Sequence, residues 1–456
     1  MSILIKNGKI VGEKETFIGD IYIQGSKIKE ISKNISVEDA KIIDANERLV
    51  LPGGVDAHTH MSLDLGEYVS VDDFYTGTVA AAHGGTTTII DHIGFLERGS
   101  SLSAMVDHYH KIANKQAVVD YSFHGVIQEV TNNHLDEIQK LKDNGIISLK
   151  MYTTYGGMLN DDEMLKVLKK AKETNSVVCV HCENDGIIKE LREEAVRDNN
   201  LDPIYHAKTR PSETEAEAIN RLAYLSEIAG FPKLYIVHTS SKEGLDEIKA
   251  ARKRGVKNLF CETCPQYLVL DESKYTEGGN EEGIKYIMAP PLRKKEDQEA
   301  LWDGIKNGDV EVIATDHCPF FYKEDKLPHK DNFTTCPGGA PGVEERMEIV
   351  LTEGLKRGIS IERLVEVLIT NPSKIFGVYP KKGLLKEGSD GDIVIYDNSS
   401  YTIKEENRHS NTDYTTYEGF ESDYKVSVVI SKGKVILENG NFTGEKGDGE
   451  FVFRKI

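Results

Sequence analysis

The chain opens in short alternations of apolar and polar residues. ILIKNGKIV and DIYIQGSKIKEI, within residues 1–50, repeat at period two and are separated by Gly or Asn-Gly turns. GDIVIYD (390–396) and VSVVISKGKVILENG (426–440) follow the same style near the other end. Short alternating runs with Gly turns predict antiparallel hairpins. Two such sets can pair into one small β-sandwich domain built from both termini. The middle of the chain reads differently. Apolar runs cover 49–58, 86–93, 118–127, 147–152, 177–182, 234–240, 258–264 and 310–317. Amphipathic stretches such as DDEMLKVLKKAKE (161–173) and SKEGLDEIKAARKRG (241–255) lie between most of them. Strands alternating with helices predict βα units and a parallel sheet, and eight units predict a closed (β/α)8 TIM-like barrel. An open doubly wound sheet is the alternative, but no GxGxxG turn marks a first βα junction. The expected organisation is 1–50 as the first part of the β-sandwich domain, 51–380 as the barrel, and 381–456 as the rest of the sandwich and a tail. The stretch from about 320 to 342, rich in Lys, Asp, Gly and Pro, reads as a long functional or mobile loop.

Composition narrows the function more than the fold. The 456 residues carry 56 Lys and Arg against 75 Asp and Glu, a net charge of −19. So acidic a chain, with no basic block, argues against nucleic acid or an anionic membrane as partner. Hydrophobic residues at 39% and charged residues at 29% are ordinary for a globular protein. No run approaches the ~18 apolar residues of a membrane span, and the N-terminus alternates like a strand rather than like a signal peptide. Six cysteines in this length do not form a disulfide framework, which points to a reducing, cytoplasmic location.

The chemistry sits at the ends of the predicted strands. His58 and His60 close the first barrel run in VDAHTH, and residues i and i+2 of a strand face one side. Alone, HxH is a weak metal motif. The placement recurs: His181 ends VVCVH, His238 ends LYIVH and Asp316 ends VEVIATD. In a barrel these ends converge on the face where active sites are built. Histidines and carboxylates buried together are costly unless paired or bound to metal, so a metal site is expected. Lys150 ends ISLK and would point into the same mouth. An ammonium beside two dications is repelled; a neutral amine or a lysine carbamate is not.

These residues, with LPGGVDAHTH, SLKMYTTY, CETCPQYLVLD, MAPPLR, ATDHCPF and CPGGAPGVEERM, resemble the hydantoinase and dihydropyrimidinase family of the amidohydrolase superfamily across nearly the whole chain. The resemblance implies two divalent cations per subunit, zinc or alternatively manganese, bridged by N6-carboxylated Lys150. His58, His60 and Asp316 would hold one cation and His181 and His238 the other. It implies a homotetramer acting on a small cyclic ureide, hydrolysing 5-monosubstituted hydantoins with D preference and an aromatic substituent. Asp316 would move the proton, and Tyr155 would stabilise the oxyanion. Ala289 and Gly338 stand where relatives usually carry Ser and Asn. The ureide would be held there through backbone groups.

Dihydropyrimidinase shares the whole metal set and is the main alternative. Allantoinase and dihydroorotase are further ones, although Ser62 stands where dihydroorotases usually place Arg. A non-catalytic assembly protein would be expected to have lost ligands. The strings Cys179–Cys182 and Cys261–Cys264 read as buried thiols rather than a zinc or redox site. His92 and His124 read as core or supporting residues, and His317 should point away from Asp316. Leu63, Leu65, Phe95, Tyr152 and Leu159 are expected to offer apolar surface to the substrate.

Overall fold

The computed structural model describes residues 2–13 and 15–456. Five strands open the chain: β1 (Ser2–Val11), β2 (Thr16–Gln24), β3 (Lys27–Ser32), β4 (Lys41–Asp44) and β5 (Leu49–Pro52). Eight follow: β6 (Gly54–Thr59), β7 (Thr86–His92), β8 (Asp120–Val126), β9 (Ser148–Tyr152), β10 (Val177–His181), β11 (Lys233–Ile236), β12 (Leu259–Thr263) and β13 (Val312–Ile313). Four close it: β14 (Ile393–Thr402), β15 (Glu421–Ser431), β16 (Lys434–Glu438) and β17 (Asn441–Phe442).

Strands β6 to β13 pair in strict chain order, all parallel, with helices between them. Two backbone bonds carry the sheet towards closure. His60 N donates to His317 O at 2.8 Å, and Asp316 N donates to His58 O at 2.9 Å. The result is a nearly closed TIM-like barrel. The terminal strands form a separate nine-stranded sheet in the order β17-β16-β15-β14-β5-β1-β2-β3, with β4 on β1. It encloses its own apolar cluster, including Ile3, Ile21, Val50, Ile395 and Val428, apart from the barrel core.

The two sheets meet within the run 49–58, which is two strands rather than one. Leu49–Pro52 joins the terminal sheet and Gly54–Thr59 starts the barrel. Gly53 makes the change of sheet possible, because a Cβ there would sit 2.0 Å from Thr87 Oγ1. Barrel strands are buried on both faces, as a helix-covered parallel sheet requires, and every residue of β6 and β7 is buried.

The helices are specified locally. Asp161–Thr174 begins with Asn160 accepting from Glu163 N while the Glu163 carboxylate accepts from Asn160 N. Asp161, Asp162 and Glu163 favour that positive end of the helix dipole. Met164, Val167, Leu168 and Ala171 form its buried stripe, and Asn175 stops it in the left-handed conformation (φ 53°). The stretch 320–342 is not bare loop: short helical turns at Tyr322–Lys326, Leu327–His329 and Phe333–Thr335 pack it over the barrel mouth. No helix among the described residues is long and apolar enough to cross a membrane. All six cysteines are free.

Candidate metal centre

A cavity of about 750 Å³ opens at the C-terminal ends of the barrel strands. His60, Lys150, His181, His238 and Asp316 line it, as do Tyr155, Ala289 and Gly338. His58 lies fully buried beneath it. Leu63, Leu65, Phe95 and Tyr152 supply apolar wall. Leu159 does not; it is packed in the barrel core.

His58, His60 and Asp316 bring one ligand atom each to within 4.8 Å of one another. His58 is oriented from behind. The Glu262 carboxylate can only accept, so His58 Nδ1 carries the hydrogen it donates to Glu262 Oε1 at 2.7 Å. In the neutral ring Nε2 is thereby the lone-pair atom, 3.0 Å from Asp316 Oδ1 and without a hydrogen-bond partner. His60 Nε2 lies 3.1 Å from the same oxygen. Thr59 Oγ1 and Met61 N both donate to Asp91 Oδ2, at 2.7 and 2.8 Å, and so pin the segment between these histidines and the wall.

A second pair faces the first. His181 Nε2–H donates to Glu183 Oε2 at 2.7 Å, which leaves Nδ1 as the lone-pair atom. That Nδ1 sits 2.9 Å from His238 Nε2, and His238 Nδ1 has no partner. His238 (φ 37°), Asp316 (φ 57°) and Tyr155 (φ 69°) all hold the left-handed backbone region. Non-glycine residues persist there at a cost, typically at functional sites.

Electrostatics show how tightly charge is packed. Burial alone would lower the His58 pKa, but the carboxylates of Glu262 and Asp316 raise it to about 9. Burial lowers His60 to about 4. Burial would raise Asp316, yet the charge of the neighbouring His58 and the hydrogen bond from His60 hold it well below the carboxylate range. Burial also works against Glu183, but the Arg210 charge and the His181 hydrogen bond bring it down to about 2.

A neutral His58 and the Asp316 carboxylate aim lone pairs at one another across 3.0 Å, which is what a cation resolves, and imidazole plus carboxylate is a donor set that suits zinc or manganese. The residues therefore fit a pair of divalent cations. Lys150 is 1% exposed in the cavity wall. Among the described residues no carboxylate lies within ion-pair distance of its Nζ, and burial lowers its pKa.

His317 turns away from the cavity. Its Nδ1 accepts from Gly342 N at 3.1 Å, and Nε2–H donates to Asp72 at 2.9 Å. Cys179, Cys182, Cys261 and Cys264 are buried thiols, all raised by burial. The residues missed from sequence are Glu183, Glu262 and Arg210. Glu262 sits inside the very CETC string that attracts notice for its cysteines. Glu183 stands two residues after His181, a spacing that could have found it. Arg210 donates to Glu183 and holds its guanidinium 5.5 Å from the Tyr155 ring centre.

Comparison with known proteins adds three findings. The amidohydrolase family model matches residues 49–436. The D-phenylhydantoinase of Escherichia coli O7:K1 (strain IAI39 / ExPEC) is 44% identical over 458 residues, covering 100% of this chain and 98% of that relative. Among solved structures, dihydropyrimidinase from Brevibacillus agri NCHU1002 is 40% identical with a TM-score of 0.97, covering 100% of this chain and 99% of the other. L-Hydantoinase from Arthrobacter aurescens is 31% identical with a TM-score of 0.90, covering 99% of each.

Proposed function

The chain belongs to the amidohydrolase family, and from that premise we propose that it hydrolyses the cyclic amide bond of 5-monosubstituted hydantoins to N-carbamoyl amino acids. The observation that carries this reading is the pair of facing ligand clusters in one cavity, on a chain alignable end to end with a D-phenylhydantoinase.

His58, His60 and Asp316 would hold one divalent cation, and His181 and His238 the other, with Lys150 carboxylated on Nζ as the bridge. When bound, the two cations supply hydroxide near neutral pH and polarise the scissile carbonyl. The rest is work for the chain's own groups. The ureide ring would lie against the backbone at Ala289 and Gly338, both in the cavity wall. Asp316 accepts the nucleophile's proton and returns it to the leaving ring nitrogen, so that the ring opens with no net proton change. The neutral Tyr155 hydroxyl donates to the oxyanion that forms on the carbonyl. Glu262 and Glu183 hold the two imidazoles in single tautomers, which keeps the ligand lone pairs aimed. The apolar wall of Leu63, Leu65 and Phe95 would take an aromatic 5-substituent, and a D product is expected.

The chemistry belongs to 51–380 in this reading, with 1–50 and 381–456 forming the companion domain. A cytoplasmic homotetramer completes it, which light scattering tests.

The deciding experiment incubates the protein with zinc or manganese, bicarbonate and racemic 5-phenylhydantoin. N-carbamoyl-phenylglycine is then resolved by chiral chromatography, with dihydrouracil in parallel. Preferential D product is expected. Faster turnover of dihydrouracil would move the reading to the dihydropyrimidinase side, which the likeness to the Brevibacillus agri protein favours. Absence of turnover in metal-loaded protein would sink both.

A further inference from the structure

Arg454 is, with Arg346, one of the two largest fully buried side chains among the described residues, and no carboxylate pairs with it there. Burial without a counter-charge pushes its guanidinium down to about 9. So costly an arrangement needs a reason. The segment carrying it closes the N-terminal end of the barrel, opposite the metal centre. Val452 N donates to Tyr121 O at 2.7 Å, Arg454 N to Gly145 O at 3.1 Å, and Lys455 N to Gly377 O at 3.2 Å. Gly145 and Gly377 are required for this grip: a Cβ on the first would sit 2.7 Å from the Phe453 ring, and on the second 2.4 Å from Lys455 O.

The guanidinium then reaches inward. Nε donates to Ser122 Oγ at 2.8 Å, Nη2 to Phe123 O, and Nη1 to Ser148 Oγ at 2.9 Å. An arginine can only donate, so Ser148 must accept from it and has its own hydrogen to give. The next atom is His124 Nδ1, 2.7 Å from Ser148 Oγ. His124 is fully buried and held neutral, first by desolvation and then by the Arg454 charge. With Nδ1 accepting, the ring hydrogen is fixed on Nε2, which donates to Ala57 O at 3.0 Å. Ala57 lies where the β6–β7 ladder shifts register between Asp56 and Thr59, immediately before His58. Above His124, the His92 ring stacks at 4.0 Å between centres and meets His58 edge-on at 4.3 Å.

We infer that Arg454 is a positioning residue for the metal centre. Through Ser148 it fixes the His124 tautomer, and that imidazole anchors the carbonyl that sets His58 and His60 at the end of β6. Each link runs one way, starting from an obligate donor at the bottom of the barrel. The inference rests on the metal-centre reading given above but not on the identity of the substrate.

The test compares the metal-loaded parent with Ser148→Ala, Ser148→Thr and Arg454→Ala, following metal release to a chelator by mass spectrometry. Supporting partners of metal ligands are worth about 10–100-fold in metal affinity. Ser148→Ala and Arg454→Ala are therefore expected to shorten the half-time of metal loss about tenfold, with kcat reduced and KM within about twofold of the parent. Ser148→Thr keeps the hydroxyl and should retain metal like the parent. Millimolar guanidinium should slow metal loss from Arg454→Ala. If Arg454→Ala does not fold, the Ser148 pair decides. Unchanged half-times in Ser148→Ala would overturn the inference, as would histidine ¹⁵N spectra placing the parent's His124 hydrogen on Nδ1. A parent that holds metal but opens no hydantoin fails only the substrate reading; a parent that holds no metal overturns both.

Discussion

Two lysines are buried equally deeply in the two halves of the molecule and are treated in opposite ways. Lys382, at the junction of barrel and terminal sheet, has its side chain 1% exposed and faces three carboxylates. Its Nζ lies 2.6 Å from Asp392, 2.7 Å from Asp120 and 3.0 Å from Asp390. Burial would lower its pKa, but the three negative charges raise it well above the usual lysine value. Lys150, in the cavity wall, is 1% exposed and has no carboxylate within ion-pair distance among the described residues, Asp316 and Glu262 acting on it only from further away. Its pKa is lowered, burial being the main cause. Sheet and barrel differ likewise in their other polar groups. Within the strands of the terminal sheet, Ser431 Oγ is the one buried side-chain polar atom without a partner among the described residues. At the barrel strands His58, Asp91 and His92 all keep one or more. Pairing everywhere marks structure; unpaired groups gathered at strand ends mark a place kept for something else. A lysine with a depressed pKa is also the one able to react with CO₂, because only the neutral amine is nucleophilic.

The hardest way to break this contrast is Lys150→Ala. It should lower kcat by about 10³-fold or more, through loss of the charge organisation at the reacting centre, while the midpoint of urea unfolding for metal-free protein stays near the parent's. A short carboxylic acid added to the assay should restore part of the rate by standing in for the carbamate. Lys382→Met should do the reverse. It strands three carboxylates and should cost about 3–5 kcal/mol in urea unfolding, with kcat per folded molecule unchanged. Tyr155→Phe sharpens the picture at the mouth. Loss of one donor to the oxyanion should reduce kcat about 10²-fold, with KM within about threefold.

The smallest effect belongs to the sheet. Burial would raise Asp20, but hydrogen bonds from Ile35 N, Lys6 and Asn7 N hold it below the ordinary aspartate value of 3.8. A carboxylate lowered on folding adds stability above its unfolded pKa and loses it as pH falls through the lower, folded value. Asp20→Asn should therefore cost about 1 kcal/mol at pH 7, and the gap to the parent should close as pH drops below 3.8. A gap that persists into strong acid would mean the pair contributes through packing rather than charge.

Much of this was legible in the sequence because strand periodicity and strand ends are local properties. The eight runs, the amphipathic stretches 161–173 and 241–255, and the strand-end positions of His58, His181 and His238 can be read from a few residues at a time. What escaped depends on distance in space. Glu262 reaches His58 across the barrel, 204 positions away, so no spacing rule points to it. The run 49–58 looks like one strand because both halves are apolar. Only the close approach of Thr87 to Gly53 reveals the break. Leu159 reads as substrate-facing beside Tyr152 and Tyr155, yet the turn after β9 folds it into the core.

The pairing of Pro52 with Ile393 has a consequence during synthesis. Strand β5 lies between β1 and β14, and roughly 340 residues of chain separate it from the latter. At about 5–20 residues per second a ribosome needs on the order of 20–70 s to deliver that partner. For that interval β5 is an open sheet edge on a nascent chain, the kind of surface that recruits strands from neighbouring polypeptides. Recombinant yield of soluble protein should therefore respond more to synthesis rate and chaperone supply than to the stability of the finished fold.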